Sequence, residues 1–313
     1  MSQFPDPIPL PEFIPAERQE RVISLIRAAS IGMVIRISII ALELAGVYFF
    51  HSSALLLDAL ATILDVVSTL LLIVFIKLAA KPPDRNHPFG HGRLEPFAGL
   101  QLALLLIVVG GWMFVQQTLQ LFVNKSDQII DSRTWIISLI ALIFLEICYQ
   151  VMSRVAKKQQ STALGVEALH FRIDAINSIF ATIVLGLGAF MPHLSLFFDH
   201  AGALLISILM VGIGFFSSRD NLHQLMDRVP DKSFFDKVRS AAERVSGVLG
   251  TEKIRIQQYG PDAHVDIDIE LDPHLSVETA HKISQLTRAE IQKEWPAVLD
   301  VTVHVEPYYA NDH

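Results

Sequence analysis

The stretch Leu164–Met191, LGVEALHFRIDAINSIFATIVLGLGAFM, decides how the rest of the chain is read. It is long enough to cross a bilayer, whose hydrocarbon core takes roughly 20 predominantly apolar residues in a helix. Yet it carries His170 and Asp174, four residues apart and so on one face of that helix. An ionisable group at that depth is expensive and marks a function or a partner on a neighbouring helix. Working outward, five further apolar runs of similar kind lie at roughly Ile31–Phe50, Ser53–Leu78, Phe97–Val123, Trp135–Val155 and Asp199–Ser217. An all-α transmembrane domain of six helices is expected, and a composition of 51% apolar and 18% charged residues agrees with it.

The ends of the chain differ from this middle. Residues 1–24 form a Pro-rich tail with five prolines in its first 16 residues; SQFPDPIPLPEFIP reads as an extended or disordered cytosolic segment, not a signal peptide. Residues 25–220 hold the spans, and residues 221–313 return to ordinary soluble composition. There the pattern predicts helix Ser233–Val245, strands Lys253–Tyr259 and Ala263–Leu271, helix Ser276–Glu294 with Ser276 as N-cap, and strand Leu299–Val305. In HVDIDIEL, Val265, Ile267, Ile269 and Leu271 share the core face, while His264, Asp266, Asp268 and Glu270 share the water face. The last strand buries Val301, Val303 and Val305 and turns out His304 and Glu306. A small cytosolic α+β domain results.

Cations set the orientation. Lys77, Lys81, Arg85 and Arg93 follow the second span, and Arg154, Lys157 and Lys158 follow the fourth, whereas the connections around His51 and His193 hold no Lys or Arg. Both termini are expected in the cytoplasm, in the cell (inner or plasma) membrane. The single Cys148 rules out an intramolecular disulfide and a Cys-rich metal site. A net charge of −7 without a basic stripe argues against a nucleic-acid partner.

The chemistry lies in the ionisable residues of the spans. Asp58 and Asp65 are seven apart on the second span and nearly share a face. Measured from the outer ends, Asp65 lies roughly 20 Å deep and Asp174 roughly 24 Å deep at helical rise. Two carboxylates and an imidazole converging there suit a divalent ion such as Zn²⁺, Fe²⁺ or Mn²⁺. Interhelical hydrogen bonds or ion pairs with Arg172 or Arg36 are the structural alternative. Glu43 and Glu146 each stand alone on a helix, with packing or proton relay as open as metal binding. The loop KPPDRNHPFGHGRLEP brings Asp84, His87 and His91 within eight residues on a Pro- and Gly-rich turn that can fold round one ion.

At HPFGHGR (His87–Arg93) and ALHFRIDAINS (Ala168–Ser178) the chain resembles the cation diffusion facilitator family of metal–proton antiporters, and the likeness runs from the first span to Pro307. The resemblance implies a homodimer moving divalent metal by alternating access, with Asp65, His170 and Asp174 as intramembrane ligands. The family's remaining ligand falls on Ala61, so that water, Asp58 or Thr62 completes the set. It also implies a loop site at Asp84, His87 and His91, and a soluble domain with a metallochaperone-like, ferredoxin-like fold. A binuclear site on that domain maps to Glu252, Asp268, His281, His304 and Glu306, where Glu252 and Asp268 replace family histidines and either favour harder ions or leave a solvated acidic face.

Ligation needs neutral imidazole and ionised carboxylate, so metal binding expels protons and a proton gradient can drive metal outward. Metal on the soluble domain is expected to regulate by tightening the dimer. Two other classes compete. An intramembrane metallohydrolase lacks an HExxH-like motif, so no enzyme activity is expected. A membrane-anchored sensor would bind metal and move none.

Overall fold

The computed structural model describes residues 13–50, 53–123, 135–188 and 192–309. The chain divides into two compact units, Ile23–His223 and the combination of Met1–Val22 with Gln224–His313.

Six long helices fill the first part of the chain: α1 (Phe13–Phe50), α2 (Ser53–Ala79), α3 (Leu94–Val123), α4 (Trp135–Lys158), α5 (Thr162–Gly188) and α6 (Pro192–Leu225). Among the described residues, four stretches are long and apolar enough to cross a membrane: Pro15–Gly46, Leu94–Leu119, Leu139–Lys158 and Leu204–Leu225. In α5, Glu167, Arg172 and Asp174 interrupt the apolar run. Large apolar side chains face outward, among them Leu71, Val108, Trp112 and Ile147, as a lipid-facing surface requires. Small or slender residues sit inside: Cys148 and Ala163 are fully buried. On α1, a Cβ at Gly32 would lie 3.0 Å from the Phe171 ring and 3.1 Å from Met152 Sδ, so a side chain there would require these neighbours to give by a few tenths of an ångström.

Two boundaries differ from the reading of the sequence. α1 starts at Phe13, inside the segment expected to be extended, because Pro15 falls in the first turn, where a missing N–H breaks no helical bond. α6 continues past Ser217 to Leu225, since a polar stretch ends a membrane span without ending a helix. The loop after the third span, whose only cations are Lys125 and Arg133, and the connection at His51 lie outside the described residues.

The second unit has the order α7 (Lys232–Glu243), β1 (Gly250–Tyr259), β2 (Asp262–Leu271), α8 (Val277–Glu294) and β3 (Val298–Pro307). β1 and β2 form an antiparallel hairpin closed by Gly260 at φ 55°, a left-handed conformation natural to glycine. β2 and β3 are parallel, with α8 as the crossover. Asp231 caps α7 by accepting from Ser233 N at 2.9 Å, and Ser276 caps α8 by accepting from Thr279 N at 3.1 Å. Val265, Ile267, Ile269 and Leu271 are buried with Val238, Ala242, Ile291 and Trp295 in one core. Within this unit Arg18 pairs with Asp262 at 3.3 Å and donates to the carbonyls of Pro296 and Ala297.

One residue of the water face is corrected. Glu270 is buried, not turned out, because its register partner is Gly250 and the carboxylate occupies the space a side chain there would need.

Candidate metal centre

Three groups of His and carboxylate side chains, each with ligand atoms within 4.8 Å of one another, occur among the described residues. The deepest lies between α2 and α5. His170 Nε2 is 3.5 Å from Asp65 Oδ1 and 3.8 Å from Asp174 Oδ1. Tetrahedral ligands on bonds of about 2.1 Å sit about 3.4 Å apart, so one ion fits among these atoms with little adjustment. The three side chains are 23%, 11% and 28% exposed in the order Asp65, His170, Asp174, which leaves an approach for an ion.

Behind this trio is a polar bracket that helical spacing alone does not reveal. Arg36 on α1 is 1% exposed and its Nη1 donates to Glu167 Oε1 at 2.8 Å, Thr69 Oγ1 at 2.9 Å and the Asp65 carbonyl at 3.1 Å. Its Nη2 reaches Asp174 Oδ2 at 3.3 Å. Thr69 Oγ1 also bonds Glu167 Oε1 at 2.5 Å. The guanidinium carbon stands 4.0 Å from the centre of the Phe171 ring. A buried arginine needs such compensation, and here α2 and α5 both supply it. The only warning in the sequence is an arginine inside an apolar run.

The alternative raised for the intramembrane residues is thus met in part. Arg36 does pair with Asp174, while Arg172 pairs with Glu146 and stacks on Tyr149. Glu146 is therefore not alone: its partner comes from α5. Asp58 and Ala61 lie on α2, but their side chains fall outside the described residues, and with them the question of the remaining ligand.

The second group sits in the loop after α2. Asp84 Oδ1 accepts from the backbone N–H of Asn86 and of His87, both at 2.8 Å. These bonds, the His87 one first, hold the Asp84 carboxyl below its usual range. His87 Nδ1 lies 3.5 Å from Asp84 Oδ1, and His91 Nε2 lies 3.6 Å from Oδ2. Gly90, at φ 82°, makes the turn that returns His91 to the carboxylate.

The third group crosses the sheet. Asp268 and His304 are register partners on β2 and β3, and His304 Nδ1 lies 3.6 Å from Asp268 Oδ1 and 3.2 Å from Glu306 Oε1. Glu252 comes from β1, where the register slips between Thr251 and Ile254, and it hydrogen-bonds Glu306. That bond pushes the Glu306 carboxyl above its usual range, with desolvation and the charges of Glu252 and Asp268 acting the same way. His281 is exposed on α8 and does not join this group.

Comparison with known proteins identifies both parts of the chain. Residues 29–226 match the cation efflux transmembrane domain, and residues 230–308 match the cation efflux protein cytoplasmic domain. Metal tolerance protein C1 of Arabidopsis thaliana is 26% identical over 94% of this chain, which spans 64% of that protein's length. Two Bacillus subtilis proteins, the manganese efflux system proteins MneP and MneS, are 26% and 29% identical, each over 85% of this chain and over 92% and 90% of their own lengths. Matches to both domains cover nearly all of the described chain, and the chain therefore belongs to the cation diffusion facilitator family of metal efflux transporters, as an integral membrane protein.

Proposed function

We propose that this protein exports a divalent first-row metal ion, Mn²⁺ or Fe²⁺ ahead of Zn²⁺, through the site formed by Asp65, His170 and Asp174, in exchange for protons. The observation that carries the reading is the meeting of two carboxylates and one imidazole within 4.8 Å on two predominantly apolar helices. Oxygen-rich ligand sets suit Mn²⁺ better than sites built from imidazole or thiolate. The names of MneP and MneS point the same way.

The proton coupling follows from ligand chemistry: the ion takes the places of protons on His170 and the carboxylates, and protons return on release. Alternating access is the rocking of helices that carry the ligands as a group. Both termini lie in the cytoplasm of the cell (inner or plasma) membrane. The cytoplasmic domain holds two copies together as a homodimer, and metal on Asp268, His304 and Glu306 tightens that dimer. Residues 1–24, 25–220 and 221–313 act as tail, transport domain and regulatory domain.

The deciding experiment is flux into proteoliposomes with Mn²⁺, Fe²⁺, Zn²⁺, Co²⁺ and Ni²⁺, with internal pH followed at the same time. Mn²⁺ or Fe²⁺ movement with opposite proton movement is the expected result. Metal binding without flux would instead make the protein a sensor, and flux without a pH change would remove the antiport.

A further inference from the structure

Asp174 presents its two oxygens to different partners. Oδ1 faces His170 Nε2 at 3.8 Å, inside the ligand group, while Oδ2 faces Arg36 Nη2 at 3.3 Å. The guanidinium that holds Oδ2 is itself fixed. Its other arm is bonded to Glu167, Thr69 and the Asp65 carbonyl, and its face rests on Phe171. Gly32, one turn earlier on α1, lets the helix approach closely enough for this reach. The charges are apportioned too. Arg36 and Glu167, 1% and 0% exposed, neutralise each other, so Asp65 and Asp174 remain to balance a divalent ion.

We propose that Arg36 is a positioning residue that sets metal specificity: anchored on Glu167 and Thr69, it takes one oxygen of Asp174 and leaves only the other for the metal. Asp174 then ligates through one oxygen. A low coordination number suits small first-row ions, whereas Ca²⁺ seeks six to eight oxygens and often takes a carboxylate by both. Arg36 thus disfavours Ca²⁺ without touching the metal. The inference rests on the metal site proposed above.

The test uses the full-length protein in detergent. Displacement of Mn²⁺ by Ca²⁺ would be measured for the parent, for the double variant Arg36→Gln with Glu167→Gln, and for Arg36→Lys. The double variant removes both charges of the Arg36–Glu167 pair together, so Glu167 is not left as an unpaired buried carboxylate. The lysine variant keeps the charge but has no fork to hold Glu167 and Asp174 at once. Both variants are expected to lose about tenfold of the Mn²⁺-over-Ca²⁺ preference, the scale on which outer-shell partners act. A parental preference in a variant that melts at the parental temperature would overturn the role, and in Arg36→Lys it would show that charge alone suffices.

Should those two variants not fold, a spectrum of the parent decides instead. Its Mn²⁺-induced infrared difference spectrum separates one-oxygen from two-oxygen ligation by the spacing of the carboxylate stretches, with the Asp174 band identified by its loss in Asp174→Asn. Two-oxygen ligation in the parent overturns the inference while leaving the proposed transport intact. A parent that binds no divalent ion overturns the transport reading, and the inference with it.

Discussion

The intramembrane group and the group on the sheet contain nearly the same side chains, two carboxylates and one histidine, in opposite settings. His170 is 11% exposed between helices, and His304 is 64% exposed on the face of a sheet. Asp174 is bonded to a buried arginine, while Asp268, itself only 16% exposed, has the exposed Lys253 at 3.8 Å. On the sheet, water reaches His304 and Lys253, and their hydrated charges offset those of the carboxylates beside them. Between apolar helices such a cluster persists only with the support of Arg36, Glu167 and Thr69. The difference teaches that residue type alone does not distinguish a transport site from an acidic surface. The support behind the ligands does.

The largest effect that can break this comparison is loss of Asp174. Asp174→Ala or Asp65→Ala is expected to lower flux by more than about a hundredfold, beyond what losing an outer-shell partner does. Melting should stay near parental, because Arg36 keeps Glu167. Parental flux and metal affinity in either variant would place the site elsewhere.

Next in size is the position one turn before Asp65. Ala61→His adds a nitrogen ligand and is expected to shift transport selectivity toward Zn²⁺ by about tenfold, as Zn²⁺ favours four-coordinate sites with nitrogen ligands. Ala61→Asp should shift it toward Mn²⁺. Unchanged profiles in both, with flux lost in Asp58→Asn, would make Asp58 the remaining ligand.

The loop should matter less. His87→Ala with His91→Ala is expected to lower loop metal occupancy and to slow flux only a few-fold, roughly the scale of a modest coupling between sites. Complete loss of flux with the dimer preserved would put this loop on the permeation route.

The smallest effect sharpens the account of the sheet. Glu306 has its carboxyl raised by its bond to Glu252, so its contribution to stability is full below the ordinary glutamate value and is lost as pH rises through the raised one. Metal binding at the proposed sheet site is expected to run the other way, strengthening over the same window as the carboxyl ionises. Glu306→Gln should flatten the first dependence, read as melting temperature against pH, and weaken metal binding throughout. An unchanged melting profile would remove the Glu252–Glu306 bond from the account.

Much of this was legible because it is periodic. The alternation in HVDIDIEL marks β2, and the four-residue spacing of His170 and Asp174 marks one face of α5. What was not legible depends on contacts far apart in sequence. Arg36 meets Asp65 across 29 residues and Asp174 across 138, and no local spacing links them. Glu270 obeys the alternation yet is buried, because the glycine opposite it on β1 leaves room that a pattern on β2 cannot report. The start of α1 at Phe13 was hidden by prolines, which discourage a helix in its interior but not at its first turn.

The irregularity in β1 between Thr251 and Ile254 has one more consequence. Among the described residues β1 and β3 each pair with β2 alone, and an unpaired edge is a template on which further chains can stack. The slip in β1 bends that edge and places Lys253 on it, while Pro307 at the end of β3 has no N–H to offer a new strand. The same kink that brings Glu252 to Glu306 therefore also protects the domain against runaway edge-to-edge aggregation, and straightening it by deleting one residue of the bulge would expose the protein to fibril growth.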